Sequence, residues 1–183
     1  MEIKWNGEND FVIKGQRAHV AIDPKDKNTK SDVIITSTGA EFDEESDRVF
    51  DWPGEYEAKG VIIHLIPIGV GDDERRILSL EVDGIRICNL GTASDALEDE
   101  IIAQIGDIDV LMVPVTMKPK EAMHLIEEID PRLVLFSMIS DKTPIDPFLK
   151  EVGKVGLNPA EKLVIKSKAT LDSENIEYTY LSL

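Results

Sequence analysis

The chain is poor in the side chains that most often bind transition metals or form covalent cross-links. Its 183 residues include one cysteine, Cys88, and three histidines, His19, His64 and His124. A single cysteine excludes a disulfide within the chain, and its place in an apolar strand pattern predicts a small buried side chain rather than a reactive thiol. No histidine has a partner histidine two or four residues away, so we expect structural or surface roles for all three.

Positive charge and long apolar runs are also scarce. Lys and Arg number 20 against 36 Asp and Glu, which gives a formal net charge of −16. Because nucleic-acid affinity comes largely from Lys and Arg displacing counterions, we expect no nucleic-acid partner. No run approaches the roughly 20 apolar residues that span a bilayer, and residues 1–6 contain no apolar signal core. We therefore expect no membrane association and a cytoplasmic location.

The remaining composition is that of an ordinary globular chain. Hydrophobic residues make up 42% and charged residues 31%, so disorder is not expected. A chain of this length can enclose a sizeable core, and we predict a single domain over residues 1–183. These numbers leave the oligomeric state open.

Short β-prone segments dominate the first half of the chain. Glycines and an Asp-Pro pair cut the earliest segments, which predicts an antiparallel meander, and Asp83-Gly84 predicts a tight hairpin. A continuous apolar run at residues 32–36 is typical of a strand that is covered on both faces. The predicted strands are Glu2–Asn6, Phe11–Lys14, Arg17–Asp23, Asp32–Thr36, Gly54–Glu57, Val61–Ile66, Arg76–Val82 and Ile85–Asn89.

After Gly91 the apolar period changes from two residues to 3.6, and helices alternate with strands. The first predicted helix contains Leu97, Ile101 and Ile105, with Asp95 as its N-terminal cap. The other predicted elements are helices at 119–129 and 146–154 and strands at 108–113, 133–136, 162–165 and 176–183. Antiparallel strands followed by strand–helix alternation predict an α/β protein with helices on the outer faces of sheets.

Three segments carry a resemblance to a known family: Trp52–Val61, Val82–Gly91 and Asp146–Glu151. Their order and spacing resemble the metallo-β-lactamase-fold hydrolases, in the branch that contains the ascorbate-6-phosphate lactonase. The resemblance extends from Ile3 to about Lys168. It implies an αβ/βα sandwich, in which two mixed β-sheets pack face to face with helices on the outer faces.

The same resemblance implies a metal site whose ligands are missing here. In that branch, the turn after the buried strand reads Thr-His-x-His-x-Asp-His and holds two metal ions. In this chain the first two histidines fall on Ser37 and Gly39, the aspartate falls on Glu41, and the last histidine falls on Phe42.

Three further family ligands fall on residues that lie far apart in the sequence. The bridging aspartate falls on Thr92, the histidine of a Met-His-Tyr element falls on Ile139, and another histidine falls near Val70. Six of the seven positions therefore carry neither histidine nor carboxylate, and only Glu41 keeps one. Because a zinc site usually needs three or four ligands from the protein or solvent, we expect no metal, no other cofactor and no catalytic residue.

These residues leave three functional hypotheses. The first is a pseudo-enzyme, a metallo-β-lactamase-fold protein that binds a protein partner or a small ligand without catalysis. The second is a hydrolase with a remodelled site, metal-dependent or metal-independent, with Glu41 as general base and Thr92 or Ser37 positioning a water. The third is an assembly subunit that acts through the acidic segment Glu41–Asp47. Whether that segment binds a cation stays open at the level of the sequence.

Overall fold

The computed structural model describes residues 1–37, 48–69, 74–94, 96–138, 140 and 143–183. Within these ranges the chain forms thirteen β-strands, three α-helices and one 3₁₀ turn at Lys168–Thr170. The strands are β1 (Glu2–Trp5), β2 (Phe11–Lys14), β3 (His19–Ile22), β4 (Val33–Ile35), β5 (Val49–Phe50), β6 (Gly54–Ala58), β7 (Val61–Ile68), β8 (Arg75–Val82), β9 (Ile85–Asn89), β10 (Val110–Pro114), β11 (Leu133–Ser137), β12 (Leu163–Val164) and β13 (Glu177–Tyr180). The helices are α1 (Asp99–Ile105), α2 (Pro119–Ile129) and α3 (Asp146–Glu151).

The first sheet has six strands in the order β12-β1-β2-β3-β4-β5. Strands β1, β2 and β3 form the predicted antiparallel meander, and β4 and β5 then continue parallel to β3. All three residues of β4 are buried, as the apolar run at 32–36 predicts. The carboxyl ends of β3 and β4 therefore lie side by side.

The second sheet has seven strands in the order β13-β11-β10-β9-β8-β7-β6. Strands β6 to β9 are antiparallel neighbours, whereas β9, β10, β11 and β13 run parallel. At the β8–β9 turn, Asp83 and Gly84 both have positive φ, 53° and 76°. Positive φ at both central residues is what a type I′ hairpin turn requires.

The two sheets enclose the main core, and the second sheet is also covered on its outer face. Because side chains alternate along a strand, Met112 and Leu135 lie in the core between the sheets. Their neighbours Leu111 and Val134 lie in a second cluster that contains the buried residues of all three helices. The predicted fold class, two mixed sheets with helices outside, is confirmed.

Helix α2 shows how closely the apolar period predicts burial. It spans the predicted residues, with Pro119 at its first turn, where a missing N–H costs nothing. The predicted apolar stripe is buried, and it consists of Ala122, Leu125, Ile126 and Ile129.

The structure corrects two details. Strand β5 is absent from the prediction because two residues are too short to show a period; it forms because β4 supplies backbone partners, such as the Ile34 N–H that donates to Arg48 O at 2.7 Å. Helix α1 begins at Asp99, with Glu98 rather than Asp95 at the N-cap and no capping bond from the Glu98 side chain. Asp95 itself lies outside the described residues.

Candidate functional site

A cavity of about 380 Å³ lies where the strands of both sheets end. The second sheet contributes residues at or just after the carboxyl ends of β9, β10 and β11, and the first sheet contributes the β1–β2 turn and the segment after β3. The lining residues are Glu8, Asn9, Asp10, Asp23, Lys25, Gly91, Thr92, Pro114, Thr116, Ser137 and Met138. Small-molecule pockets usually measure about 300–1,000 Å³, so this volume suits a small ligand.

Two of the seven predicted ligand positions belong to the described residues, and both lie at this edge. Thr92 lines the cavity directly. Ser37 follows β4 and bonds to the cavity residue Asp23. The other positions lie outside the described residues, and they are Gly39, Glu41, Phe42, Val70 and Ile139. The acidic segment Glu41–Asp47, with its possible cation site, lies outside them as well.

Ser37 is bound by one carboxylate through both its backbone and its side chain. The Ser37 N–H donates to Asp23 Oδ1 at 2.6 Å, and Ser37 Oγ donates to Asp23 Oδ2 at 2.5 Å. The Ser37 carbonyl accepts the Arg76 N–H at 3.2 Å, which ties the turn to the second sheet. We refer to the two Asp23–Ser37 bonds as the Asp23 clasp.

Gly91 lies beside this clasp, and its backbone conformation is one that favours glycine. A Cβ atom on Gly91 would lie 3.6 Å from both Cβ and Oγ of Ser37 and 3.4 Å from Arg76 O. The glycine also has a φ of 59°, which few side-chain-bearing residues adopt without strain. Gly91 thus brings the following residue, Thr92, to the same edge as Ser37.

The Asp23 carboxyl group is held in an environment that disfavours its charge. Burial raises its pKa above the ordinary value, the two bonds from Ser37 oppose that rise, and the charge of Asp10 adds to it. The Asp23 backbone is left-handed, with a φ of 43°, a conformation that Asp and Asn tolerate better than most residues. Its N–H donates to Ile35 O at 2.9 Å, which fixes the turn.

Asp10 forms a second carboxylate in the wall and is only 6% exposed. It accepts a bond from Asn6 Nδ2 at 2.9 Å and another from the Lys25 N–H at 3.1 Å. The Lys25 ammonium instead pairs with Glu8, at 3.2 Å. Among the described residues, neither Asp10 nor Asp23 has a cationic partner.

Ser137 is a further polar residue in the cavity wall. It is the last residue of β11, is 4% exposed, and shares a face with the core residue Leu135 by strand alternation. Its Oγ has no hydrogen-bond partner in the described structure. Buried hydroxyls are nearly always bonded, so an unpartnered one beside a cavity indicates a place for a ligand or a water.

The residues at the predicted ligand positions do not fit the two-metal centre that the resemblance implies. Ser37 is already bonded to Asp23, and Thr92 offers only a hydroxyl. Gly39, Phe42, Val70 and Ile139 carry no ligating side-chain atom at all. In the part of the chain that the structure describes, no group of three or more His, Cys, Asp or Glu side chains could hold a metal ion.

The three histidines and the cysteine lie elsewhere. His19 is exposed and His64 half-buried, and the exposed His124 lies 3.7 Å from Glu128 one helical turn away. Cys88 is fully buried, and burial raises the pKa of its thiol, which makes it unreactive. The predicted burial of Cys88 is confirmed.

The prediction missed the residues that shape the cavity: Asp10, Asp23 and Ser137. A signal was present, since Asp23 follows the apolar strand residues 20–22 and Ser137 follows the apolar run 133–136. Polar residues at the carboxyl ends of buried strands commonly line binding sites in α/β folds.

Solved structures share this fold over three quarters or more of the chain. A Thermotoga maritima protein, provisionally described as a Zn-dependent hydrolase of the metallo-β-lactamase superfamily, is 24% identical with a TM-score of 0.79 and 98% coverage of both chains. The metallo-β-lactamase fold protein YhfI from Bacillus subtilis is 10% identical with a TM-score of 0.64, over 100% of this chain and 98% of YhfI. Human tRNase Z, short form, is 9% identical with a TM-score of 0.55, over 75% of this chain and 92% of the enzyme.

Those structures establish a metallo-β-lactamase fold. The sequence also matches the model of the β-lactamase superfamily domain over residues 2–136, and the chain belongs to that family. No curated protein sequence matches the chain. None of the helices in the described ranges is long and apolar enough to cross a membrane.

Proposed function

We propose that this protein is a non-catalytic member of its family, a pseudo-enzyme that binds a small ligand or a partner at the cavity. One observation carries the proposal, the Asp23 clasp. Ser37 stands where the resemblance puts the first histidine ligand, and its N–H and Oγ both donate to the carboxylate of Asp23. An internal carboxylate thus engages the residue that would otherwise face a metal ion.

The remaining cavity supports a binding role. It keeps a volume of about 380 Å³, and its walls combine carboxylates and hydroxyls with the apolar surfaces of Pro114 and Met138. Pockets that bind small ligands are lined in this way, mainly apolar with a few polar groups that fix orientation. The net charge of −16 gives no electrostatic attraction for nucleic acids.

The remodelled hydrolase has less support from the geometry. A serine nucleophile needs a base that takes its proton and room for the substrate to approach its oxygen. Ser37 is 1% exposed, so a substrate carbonyl would reach Oγ only after the turn had moved. Thr92 lines the cavity, but no described histidine accompanies it.

The proposal is tested by metal analysis of the purified protein. After expression without added zinc and after dialysis, inductively coupled plasma mass spectrometry is expected to find less than one equivalent of zinc, manganese or iron per chain. A relative that carries the intact Thr-His-x-His-x-Asp-His motif, purified in parallel, provides the positive control. Stoichiometric metal that survives dialysis would overturn the pseudo-enzyme proposal.

A hydrolysis assay tests the alternative directly. We expect no turnover of ester, lactone or phosphodiester substrates above that of a Ser37→Ala variant. Turnover that resists chelators and disappears in the Ser37→Ala variant would establish a metal-independent hydrolase instead.

A further inference from the structure

Among the residues that the structure describes in the cavity wall, negative charges outnumber positive ones. Glu8, Asp10 and Asp23 contribute three carboxylates, and Lys25 contributes one ammonium group. That ammonium pairs with Glu8 at 3.2 Å. The bonds to Asp10 and Asp23 come from amides, backbone N–H groups and a hydroxyl, all of which are neutral.

The Asp23 carboxylate has no cationic partner among the described residues, and a carboxylate held away from water without such a partner is costly to keep charged. The raised pKa of Asp23, caused mainly by burial and further by Asp10, reflects this cost. A cation that entered the cavity would offset it and would restore the charge-assisted bonding that buried carboxylates normally have. The wall therefore favours a positively charged ligand.

Ser137 is an independent sign of a ligand in the same cavity. Ser137 is only 4% exposed and lines the cavity. Its Oγ has no hydrogen-bond partner in the described part of the molecule. Unlike the carboxylates, this group carries no charge, so its missing partner has nothing to do with the acidity of the chain. A ligand atom that donates a hydrogen bond would satisfy it.

We infer that the cavity binds a small molecule with a primary ammonium group, and that Asp10, Asp23 and Ser137 are its acceptors. An ammonium group has three N–H donors and no acceptor, which matches two carboxylates and one hydroxyl. The rest of the ligand is short and apolar, and it lies against Met138 within the volume of about 380 Å³. This inference rests on the proposed function, because it names the ligand class of the same cavity.

A divalent cation fits this wall less well than an organic one. Calcium takes six to eight oxygen ligands and zinc prefers nitrogen or sulfur. Here two carboxylates and one hydroxyl supply fewer ligands than calcium takes, and the described lining contains no histidine or cysteine for zinc.

The test uses three probes with the same six-carbon chain: hexylammonium, 1-hexanol and hexanoate. Isothermal titration calorimetry with the full chain is expected to show one hexylammonium per protein, with the alcohol and the carboxylate bound at least about tenfold more weakly. Zinc and magnesium are titrated alone and in competition.

Variants locate the site. Asp23→Asn and Asp10→Asn are each expected to weaken hexylammonium binding about tenfold, and Ser137→Ala about fivefold. The control is Asp32→Asn, which removes the same charge from an exposed residue that accepts the His19 N–H at 2.8 Å. Asp32 precedes β4, at the strand end opposite Ser37, and its variant is expected to bind normally. Circular dichroism verifies folding, and the Asp10 variant keeps the test decisive if the Asp23 variant fails to fold.

Different outcomes overturn different statements. Tighter binding of hexanoate or hexanol, or no binding of hexylammonium, overturns the ammonium ligand but leaves the non-catalytic scaffold standing. An equal loss in the Asp32→Asn variant shows attraction to the acidic surface only and also overturns the inference. Stoichiometric zinc or magnesium that displaces hexylammonium overturns it as well, and metal that survives dialysis overturns the proposed function in addition.

Discussion

Replacing Asp23 tests whether the clasp maintains the edge of the first sheet. Asp23→Ala removes two bonds to a charged acceptor, 2.6 and 2.5 Å long, each worth about 1.5–3 kcal/mol. It also places alanine at a φ of 43°, which adds about 1 kcal/mol. Relief of the buried charge offsets part of this loss, and we expect a net decrease of about 2–4 kcal/mol in the free energy of unfolding.

The Asp23→Asn variant is the matched control. Its amide oxygen accepts the Ser37 N–H, its amide nitrogen donates to Ser37 Oγ, and asparagine tolerates the left-handed backbone. We therefore expect its stability at neutral pH to equal or exceed that of the natural chain. Ser37→Ala removes only the side-chain bond and is expected to cost about 1 kcal/mol.

Because the pKa of Asp23 is raised, the difference in stability between the natural chain and the Asp23→Asn variant depends on pH in a defined direction. A carboxyl group whose pKa is higher in the folded protein binds its proton more tightly in the native state than in the unfolded chain. Its contribution to stability is therefore fully present below the ordinary pKa of 3.8. That contribution is lost as the pH rises through the pKa of the folded state. The natural chain should therefore gain stability relative to Asp23→Asn as pH falls towards that value.

Urea unfolding followed by the fluorescence of the buried Trp5 measures both effects in one experiment. Equal stability of the Ala and Asn variants at neutral pH would refute a stabilising clasp. If the natural chain instead loses stability relative to Asp23→Asn on acidification, the pKa of Asp23 is not raised by burial and this part of the argument is refuted.

Two further predictions concern the framework. Gly15→Ala is expected to cost about 1–3 kcal/mol, because its Cβ would lie 2.8 Å from Val82 Cγ1; thermal unfolding against the exposed neighbour Gln16→Ala measures this, and equal midpoints would contradict it. Asp109→Asn is expected to cost about 2 kcal/mol, because this carboxylate is 3% exposed and lies 3.0 Å from Lys168 Nζ. Lys168→Met, whose ammonium is half exposed, should cost less than about 1 kcal/mol in the same urea assay, and a larger loss for the lysine variant would contradict the burial argument.

The fold could be predicted from the sequence because its signals are local. Asp83-Gly84 specifies a hairpin turn by backbone conformation alone, and the apolar stripe of α2 specifies which face is buried. Strand β5 escaped prediction because its two residues depend on β4 for their hydrogen bonds. Local pattern cannot reveal pairing between segments that are far apart in the sequence.

The sequence could indicate which residues lie near the candidate site, but it could not indicate which side chains bond to one another there. The register of the family motifs brought attention to Ser37 and Thr92, and both lie at the edge that holds the cavity. The partner of Ser37 is Asp23, fourteen residues earlier, and only the parallel pairing of β3 with β4 places the two together. Likewise, no local pattern indicates that the Oγ of Ser137 has no hydrogen-bond partner among the described residues.

The Asp23 clasp makes a histidine at position 37, where the resemblance puts the first family ligand, costly to introduce. Ser37 is 1% exposed, so the larger imidazole does not fit in place of the serine side chain without movement of its neighbours. A histidine at position 37 would have to leave this space, and it would strip Asp23 of the hydroxyl bond that the serine provides. This single substitution would thus reduce stability unless further ligands and a bound metal ion compensated for the lost bond.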